Sequence, residues 1–430
     1  MLLVYTHKIT PRLTYIMKHV FTKMLQIEVA FTTKVEDFIG HTGAKITYTR
    51  QPLQNEFFIK SHELLFEQGV RDVEIHIQQW DDIPCFFPTS EKSAVPFDVF
   101  AASFYMISRY EEYLPYVKDV HGRFPATESL AYQNDFLEIP VVDIWVNKLK
   151  LALLKRFPDL QIVKREYEHL SIIDVSVSHC FRERGIIRSL GGMLIDFFSL
   201  KIGRMITRLA VLLRIKKDPY NNFQELIEMH KEYGTRAIFF FLLADYSNYD
   251  KNISINNPRF RSLVKSVADY SIVSLMASYN SYNNPKILKK DRARLIELIR
   301  RPVKRVRLRF NRVNIPESYK TVVEAEFNED YSMGYTLFPG FRAGTCTPFF
   351  FYDISFEVQL PLKVTPFCVE DYGLTRYKNT KEAVQVYRRI REQVRKVNGT
   401  FVTVFSNEIL GGAMKQPWKD IYYELLKDKH

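Results

Sequence analysis

No histidine stands between His230 and His430, an interval of nearly half the chain. Imidazole groups for metal ligation, or for proton transfer near neutrality, therefore cannot come from that interval. Cysteine is sparse as well. Cys85, Cys180, Cys346 and Cys368 lie too far apart for a zinc ribbon or a disulfide framework, and the expected setting is reducing and cytoplasmic. No uncharged run reaches membrane-spanning length. The opening MLLVYTHKITPRLTYIMKHVF lacks the order of basic, apolar and small residues that a secretory signal needs, so none is expected there. Internal repeats and low-complexity tracts are missing too.

What is present suits a folded protein of two domains. Of 430 residues 46% are hydrophobic, with 33 Phe and 25 Tyr, which excludes a disordered chain. A net charge of +12 fits an anionic partner: nucleic acid, acidic glycan or membrane headgroups. Nucleic acid is the weakest of these. The basic residues are spread over amphipathic helices, with no interleaved aromatics and no known module.

Residues 1–165 mix strand and helix patterns and are expected to form an N-terminal α/β domain. LLVYTH, IEVAFTT, AKITYT and VEIHIQQW alternate as strands do, and TPRLTYIMKHVFTKML has helical spacing after a Thr-Pro start. FAASFYMISRYEEYLPY reads as an aromatic helix. Its Arg109, Glu111 and Glu112 are either a binding face or, the blander reading, an ion pair over a packed core. Residues 166–430 repeat a βα rhythm of six or more units. Such a rhythm implies a parallel sheet, and that number favours a closed barrel.

The run LSIIDVSVS, Leu170 to Ser178, reads as a buried strand that carries an acid, Asp174. An ionisable group there is either a cap or a working residue. Other strand ends place Ser176, Met276, Ser278, Asp330, Arg342, Asp371, Ser406 and Asn407 where barrel sites gather. Acids, an arginine and hydroxyls suit a sugar and suit a transition metal poorly. Residues 186–217 form an apolar and strongly basic insertion with one acid, Asp196. It reads either as a helix lying on an anionic membrane or as a helix packed on the core with a solvated basic face.

The motifs SRYEEYLP, HGRFPATESLAY, IIDVSVS, VSLMASY, DYSMGY, GFRAGTCTPF, LKVTPFCVED and TFVTVFSNE, taken in order, resemble the polysaccharide deacetylase family. This is the NodB-like, carbohydrate esterase 4 barrel, in the Bacteroidetes form with an extra N-terminal α/β domain. The resemblance implies a distorted (β/α) barrel of about seven strands. It also implies a divalent metal, usually zinc, held by one Asp and two His, with an Asp base and a late His acid.

Carried over, Asp174 stands at the base position. Ser176, Met276 and Arg307 stand where the metal ligands should be, and Ser406 stands at the acid position. Asp330, Arg342, Ser278, Tyr279, Asp371 and Asn407 remain as candidate substrate contacts, and Asp174 is expected to serve as an acceptor for ligand or for Arg342. Thioether and neutral hydroxyl bind zinc weakly, and an arginine repels it. A substitute site of Asp174, His179 and Cys180 is disfavoured, because neighbours on a strand point to opposite faces.

The resemblance thus implies a degenerate deacetylase without a metal cofactor. Such a protein would bind a glycan, a sugar nucleotide or a lipid-linked sugar, or act in assembly, in the cytoplasm or at the inner membrane face. The alternative is a working hydrolase of acetylated sugars with a rebuilt or metal-free site.

Overall fold

The computed structural model describes residues 1–183, 186–412 and 418–427. The chain opens with β1 (Leu2–Thr6), whose Leu2 and Val4 are buried, and turns into a helix at Pro11–Met17. Thr10 caps that helix: its hydroxyl accepts the Leu13 N–H at 3.1 Å, and Pro11 fills the first turn, where no N–H is needed. β2 (Val29–Thr32), β3 (Lys45–Thr49) and β4 (Phe57–Lys60) complete a parallel sheet in the order β2-β1-β3-β4. Of VEIHIQQW only Gln78–Trp80 forms a strand, β5, paired with β6 (Ile83–Cys85).

The aromatic helix runs from Val99 to Ile107, shorter than its sequence suggests. Arg109 takes a left-handed backbone with φ 56°, which ends the helix and starts a separate turn at Tyr110–Tyr113. Helix Val141–Arg156 follows.

The second sheet is built from βα units. Its strands are β7 (Glu168–Val175), β8 (Arg236–Leu242), β9 (Ile272–Ala277), β10 (Arg305–Leu308), β11 (Glu329–Asp330), β12 (Phe349–Asp353), β13 (Val358–Val364), β14 (Val369–Glu370) and β15 (Thr400–Ser406). Their order is β12-β13-β11-β10-β9-β8-β7-β15-β14, all pairs parallel except β12 with β13. The sheet curls strongly. Phe240 on β8 meets Tyr331, just past β11, at 5.4 Å between ring centroids, although β9 and β10 lie between them.

The closed barrel expected from the βα rhythm is not observed, because the sheet stays open. The outermost parallel strands on its two sides, β13 and β14, are successive pieces of one segment. Thr365 N–H bonds to Asp330 carbonyl at 2.9 Å and Cys368 N–H to Val402 carbonyl at 3.0 Å. Pro366 sits between them and has no N–H to donate, so no ladder runs through.

The two sheets share one continuous apolar core. Tyr15 packs on Tyr352 at 4.8 Å and donates its hydroxyl to Phe350 carbonyl at 2.7 Å. Residues 186–217 fold as two helices, Ile186–Phe198 and Ile202–Leu212, rather than as one; the side chain of Arg188 lies outside the described residues.

Candidate functional site

Strand period places Leu170, Ile172, Asp174 and Ser176 on one face of β7 and its extension. Leu170 and Ile172 join Phe240, Met276, Phe367 and Val404 in an apolar cluster on the concave side of the curled sheet. Above that cluster, at the carboxyl ends of the strands, the side chains turn polar. Register sets Ser406 opposite Asp174, and Met276 opposite Arg307.

Two guanidinium groups fill this end. Arg307, 2% exposed, donates from Nε to Asp174 Oδ2 at 2.9 Å, from Nη2 to Glu370 Oε1 at 3.2 Å and from Nη1 to Tyr331 carbonyl at 2.6 Å. Its plane lies over the Phe367 ring, 4.7 Å from the centroid. Burial opposes its charge, but Asp174 and Glu370 outweigh burial and raise its pKa. Arg309 donates from Nη1 to the Ser176 hydroxyl and, at 3.4 Å, to the Met276 sulfur. Its Nε, 3.8 Å from Asp250 Oδ1, has no hydrogen-bond acceptor, and neither has Asp174 Oδ1 a donor. Burial lowers the Arg309 pKa despite the pull of Asp250 and Asp174.

A strained turn delivers Arg309. Phe310 and Asn311 adopt φ of 56° and 52°, a region that Asn tolerates but that a bulky Phe avoids at a cost of about 1–3 kcal/mol. The surroundings hold the turn in place. Arg123 donates to Phe310 carbonyl at 2.6 Å, His121 stacks on the Phe310 ring at 5.0 Å, and Asn311 Nδ2 reaches Glu370 Oε2 at 2.7 Å.

Asp371 lies beside Ser406, whose N–H and hydroxyl donate to Oδ2 at 2.6 and 2.9 Å. Burial, reinforced by Glu370 and Asp174 and opposed by the Ser406 hydrogen bonds, pushes its carboxyl up to about 7. The rim is aromatic. Tyr249 stacks on Tyr279 at 4.0 Å, Arg312 lies 4.1 Å over the Tyr279 ring, and Phe310 and Tyr249 reach solvent.

This donor set does not fit a divalent metal. Ser176 and Met276 both face the Arg309 guanidinium, and the one bonded oxygen of Asp174 is committed to Arg307. Among the described residues no three His, Cys, Asp or Glu are placed to hold an ion. The substitute site is not assembled either: His179 Nδ1 lies 3.0 Å from Ser178 Oγ, and the Cys180 N–H donates to Asp218.

The structure brings together Asp174, Ser176, Met276, Arg307, Asp371 and Ser406, with Tyr279 at the rim. It places four others elsewhere. Arg342 was expected beside Asp174, but its Nε and Nη2 donate to Glu112 at 2.9 and 2.6 Å, deep in the junction between the sheets. Asp330 accepts from Tyr319 hydroxyl at 3.0 Å and from Ser332, as an internal brace. Ser278 N–H donates to Asp291 Oδ2 at 3.3 Å, where it helps to start the turn that carries Tyr279. Asn407 is fully buried, and its Nδ2 donates to the carbonyls of Val177 and Tyr220, both at 3.0 Å, fastening the chain on either side of the 186–217 insertion.

Arg309, Glu370 and Asn311 were missed by sequence reasoning. One signal existed for Arg309: in RVRLRF it continues the alternation of Arg305 and Arg307.

Comparisons with known proteins add context. A model for a family of unknown function (DUF7033) matches residues 2–158. No curated protein is matched. Several solved structures are similar at low identity, three of them as follows. One, from Mycobacterium smegmatis and described as a polysaccharide deacetylase, has TM-score 0.40 and 13% identity, covering 63% of this chain and 87% of that one. A polysaccharide deacetylase from Bacillus cereus has TM-score 0.29 and 14% identity, covering 56% and 80%. A protein from Bordetella bronchiseptica, described as a polysaccharide deacetylase involved in O-antigen biosynthesis, has TM-score 0.31 and 11% identity, covering 62% and 82%.

Proposed function

We propose that residues 166–430 are a degenerate deacetylase-like (β/α) unit that binds a glycan or a glycan precursor without hydrolysing it, and that residues 1–165 form a separate domain packed on it. The observation that carries this reading is the position of Arg309. Its guanidinium bonds both Ser176 and Met276, where the motif resemblance would put two metal ligands. A fixed organic cation thus stands where the chemistry would need a metal ion, and Asp174 is neutralised by Arg307 instead of serving as a base.

The same atoms suit recognition. Arg309 Nε and Asp174 Oδ1 are a donor and an acceptor without partners, and buried groups of that kind are costly unless a ligand or water meets them. An aromatic rim around a few convergent polar groups is a common form of small-ligand site. A cytoplasmic location belongs to the proposal, and the low number of cysteines, with Cys85, Cys346 and Cys368 outside any disulfide, supports it.

One observation favours a second reading, a metal-free hydrolase. Asp371 titrates near neutrality and touches the Ser406 hydroxyl, a pairing that could activate a nucleophile. That hydroxyl also accepts the Ile409 N–H at 3.2 Å as a helix cap, which favours a structural role.

Calorimetric titration with an N-acetylglucosamine pentamer, paired with an acetate-release assay, separates the readings. Binding that Arg309→Met weakens at least tenfold, with no acetate formed, is the expected result. Acetate release lost in Ser406→Ala would establish the hydrolase instead.

A further inference from the structure

Residues 186–217 stand between β7 and helix Phe223–Glu232, off the sheet. A single carboxylate closes the base of this excursion: Asp218 accepts the N–H groups of Cys180, Phe181 and Arg182 at 2.7, 2.9 and 3.1 Å. Above it, helices Ile186–Phe198 and Ile202–Leu212 pair as a hairpin around an internal ion pair, Arg208 Nη2 to Asp196 Oδ2 at 2.7 Å. Gly192 leaves room for that guanidinium: a Cβ there would meet Arg208 Nη1 at 2.4 Å and make the arginine side chain shift.

The hairpin is inverted relative to an ordinary surface helix pair. Its polar pair is buried, and Ile195, Phe197, Phe198, Leu200, Ile202 and Ile206 are turned outward. Phe198 is 79% exposed and Leu200 83%. A contiguous apolar surface of this kind marks an interaction site.

Charge selects the partner. Lys201, Arg204, Arg214, Lys216 and Lys217 are exposed along the hairpin and its return, and its one acid, Asp196, is already neutralised inside. A second copy would bring the same positive charge against itself. A bilayer with anionic lipids offers both an apolar layer for the Phe and Ile side chains and phosphates for the cations. The longer helix has 13 residues, about 20 Å, too short to cross a hydrocarbon core of about 30 Å, and no helix among the described residues qualifies as a span.

We infer that this hairpin is a peripheral membrane anchor that seats its apolar tip in the interface of an anionic bilayer. The inference rests on the hairpin alone and stands apart from the reading of the pocket. It has a topological consequence: the anchor springs from the strand end that carries Asp174, so docking holds the pocket end of the sheet near the lipid surface.

The test is co-sedimentation of the full chain with vesicles of phosphatidylcholine alone and of phosphatidylcholine mixed with phosphatidylglycerol. Binding to the mixed vesicles is expected, weakened by added salt and reduced at least about tenfold in the double variant Phe197→Ser, Phe198→Ser. Both side chains are exposed, so the variant should fold, and an unchanged circular dichroism spectrum checks this. The inference is overturned by no binding, by equal binding to neutral vesicles, by a variant that binds as the wild type does, or by self-association of the wild type that the variant abolishes.

Discussion

Two clusters of arginines and acids lie in this molecule, and they are finished differently. At the junction of the two sheets, Arg109 bonds Glu111 at 2.6 Å and Glu112 at 2.7 Å, Arg342 grips Glu112 from the other side, and Arg109 also donates to the Arg342 carbonyl. No buried polar side-chain atom of these four lacks a hydrogen-bond partner. At the carboxyl ends of the strands, Arg307 pairs with Asp174 and Glu370 and Arg309 lies near Asp250, yet Arg309 Nε and Asp174 Oδ1 have no hydrogen-bond partner and aromatic rings at the rim are open to solvent. A fully matched cluster is built to hold two surfaces together. In the proposed reading, the donor and the acceptor left over in the second cluster are the atoms that meet a ligand.

The pKa shifts divide the junction itself: burial pushes the Glu111 carboxyl up despite Arg109. Burial works against the charge on Glu112, but Arg342 and Arg109 overcome it and hold its carboxyl below the usual range. In the pocket burial prevails: Glu370 is pushed up despite Arg307, and Asp371 reaches about 7.

The largest expected effect is at the junction. Arg342→Ala leaves Glu112 buried with a lost partner and should cost about 3–5 kcal/mol of unfolding free energy by denaturant titration. A loss below 1 kcal/mol would mean that the junction is not what joins the sheets. Next in size is Arg307→Ala, which strands Asp174 and Glu370 together; it should cost about 3 kcal/mol.

Asp371 supplies a pH test. Its folded pKa of about 7 exceeds the ordinary carboxylate value, so the native state binds the extra proton between the two. Stability contributed by this group is therefore present at low pH and lost as pH rises towards 7, with a slope of up to about 1.4 kcal/mol per pH unit. Asp98 and Asp291, both raised to about 6 by burial, act in the same direction below that pH. Asp371→Asn should remove most of the decline between pH 6 and 7 and make the decline at lower pH shallower by one carboxyl's share, leaving the part due to Asp98 and Asp291.

The smallest effect on stability, and the one that sharpens the contrast most, is Arg309→Met. A buried cation with an unmatched donor contributes little to folding, so the change should be neutral or stabilising by about 1 kcal/mol while ligand binding is lost.

The sequence made the strands of the second sheet legible because LSIIDVSVS, AIFFFLLA and FVTVF are apolar runs that a parallel sheet buries on both faces. Asp174, Ser176, Met276 and Ser406 could be placed at strand ends for the same reason. Arg342 could not be assigned, because its partner Glu112 lies 230 residues away and no local pattern signals such a pairing. Arg309 was hidden by a left-handed turn at Phe310 and Asn311, whose backbone departs from what those residues prefer. The open sheet follows the path of one segment, β13 to β14, from one side of the sheet to the other, which the βα rhythm does not reveal.

The most direct test of the claim that a guanidinium has replaced a metal is a zinc titration of the purified chain by calorimetry, with zinc content measured after gel filtration. No stoichiometric zinc should be bound or retained, and adding Ser176→Asp alone should not create a site, because Arg309 still fills it. Retention of one zinc per chain, lost in Asp174→Asn, would contradict the account.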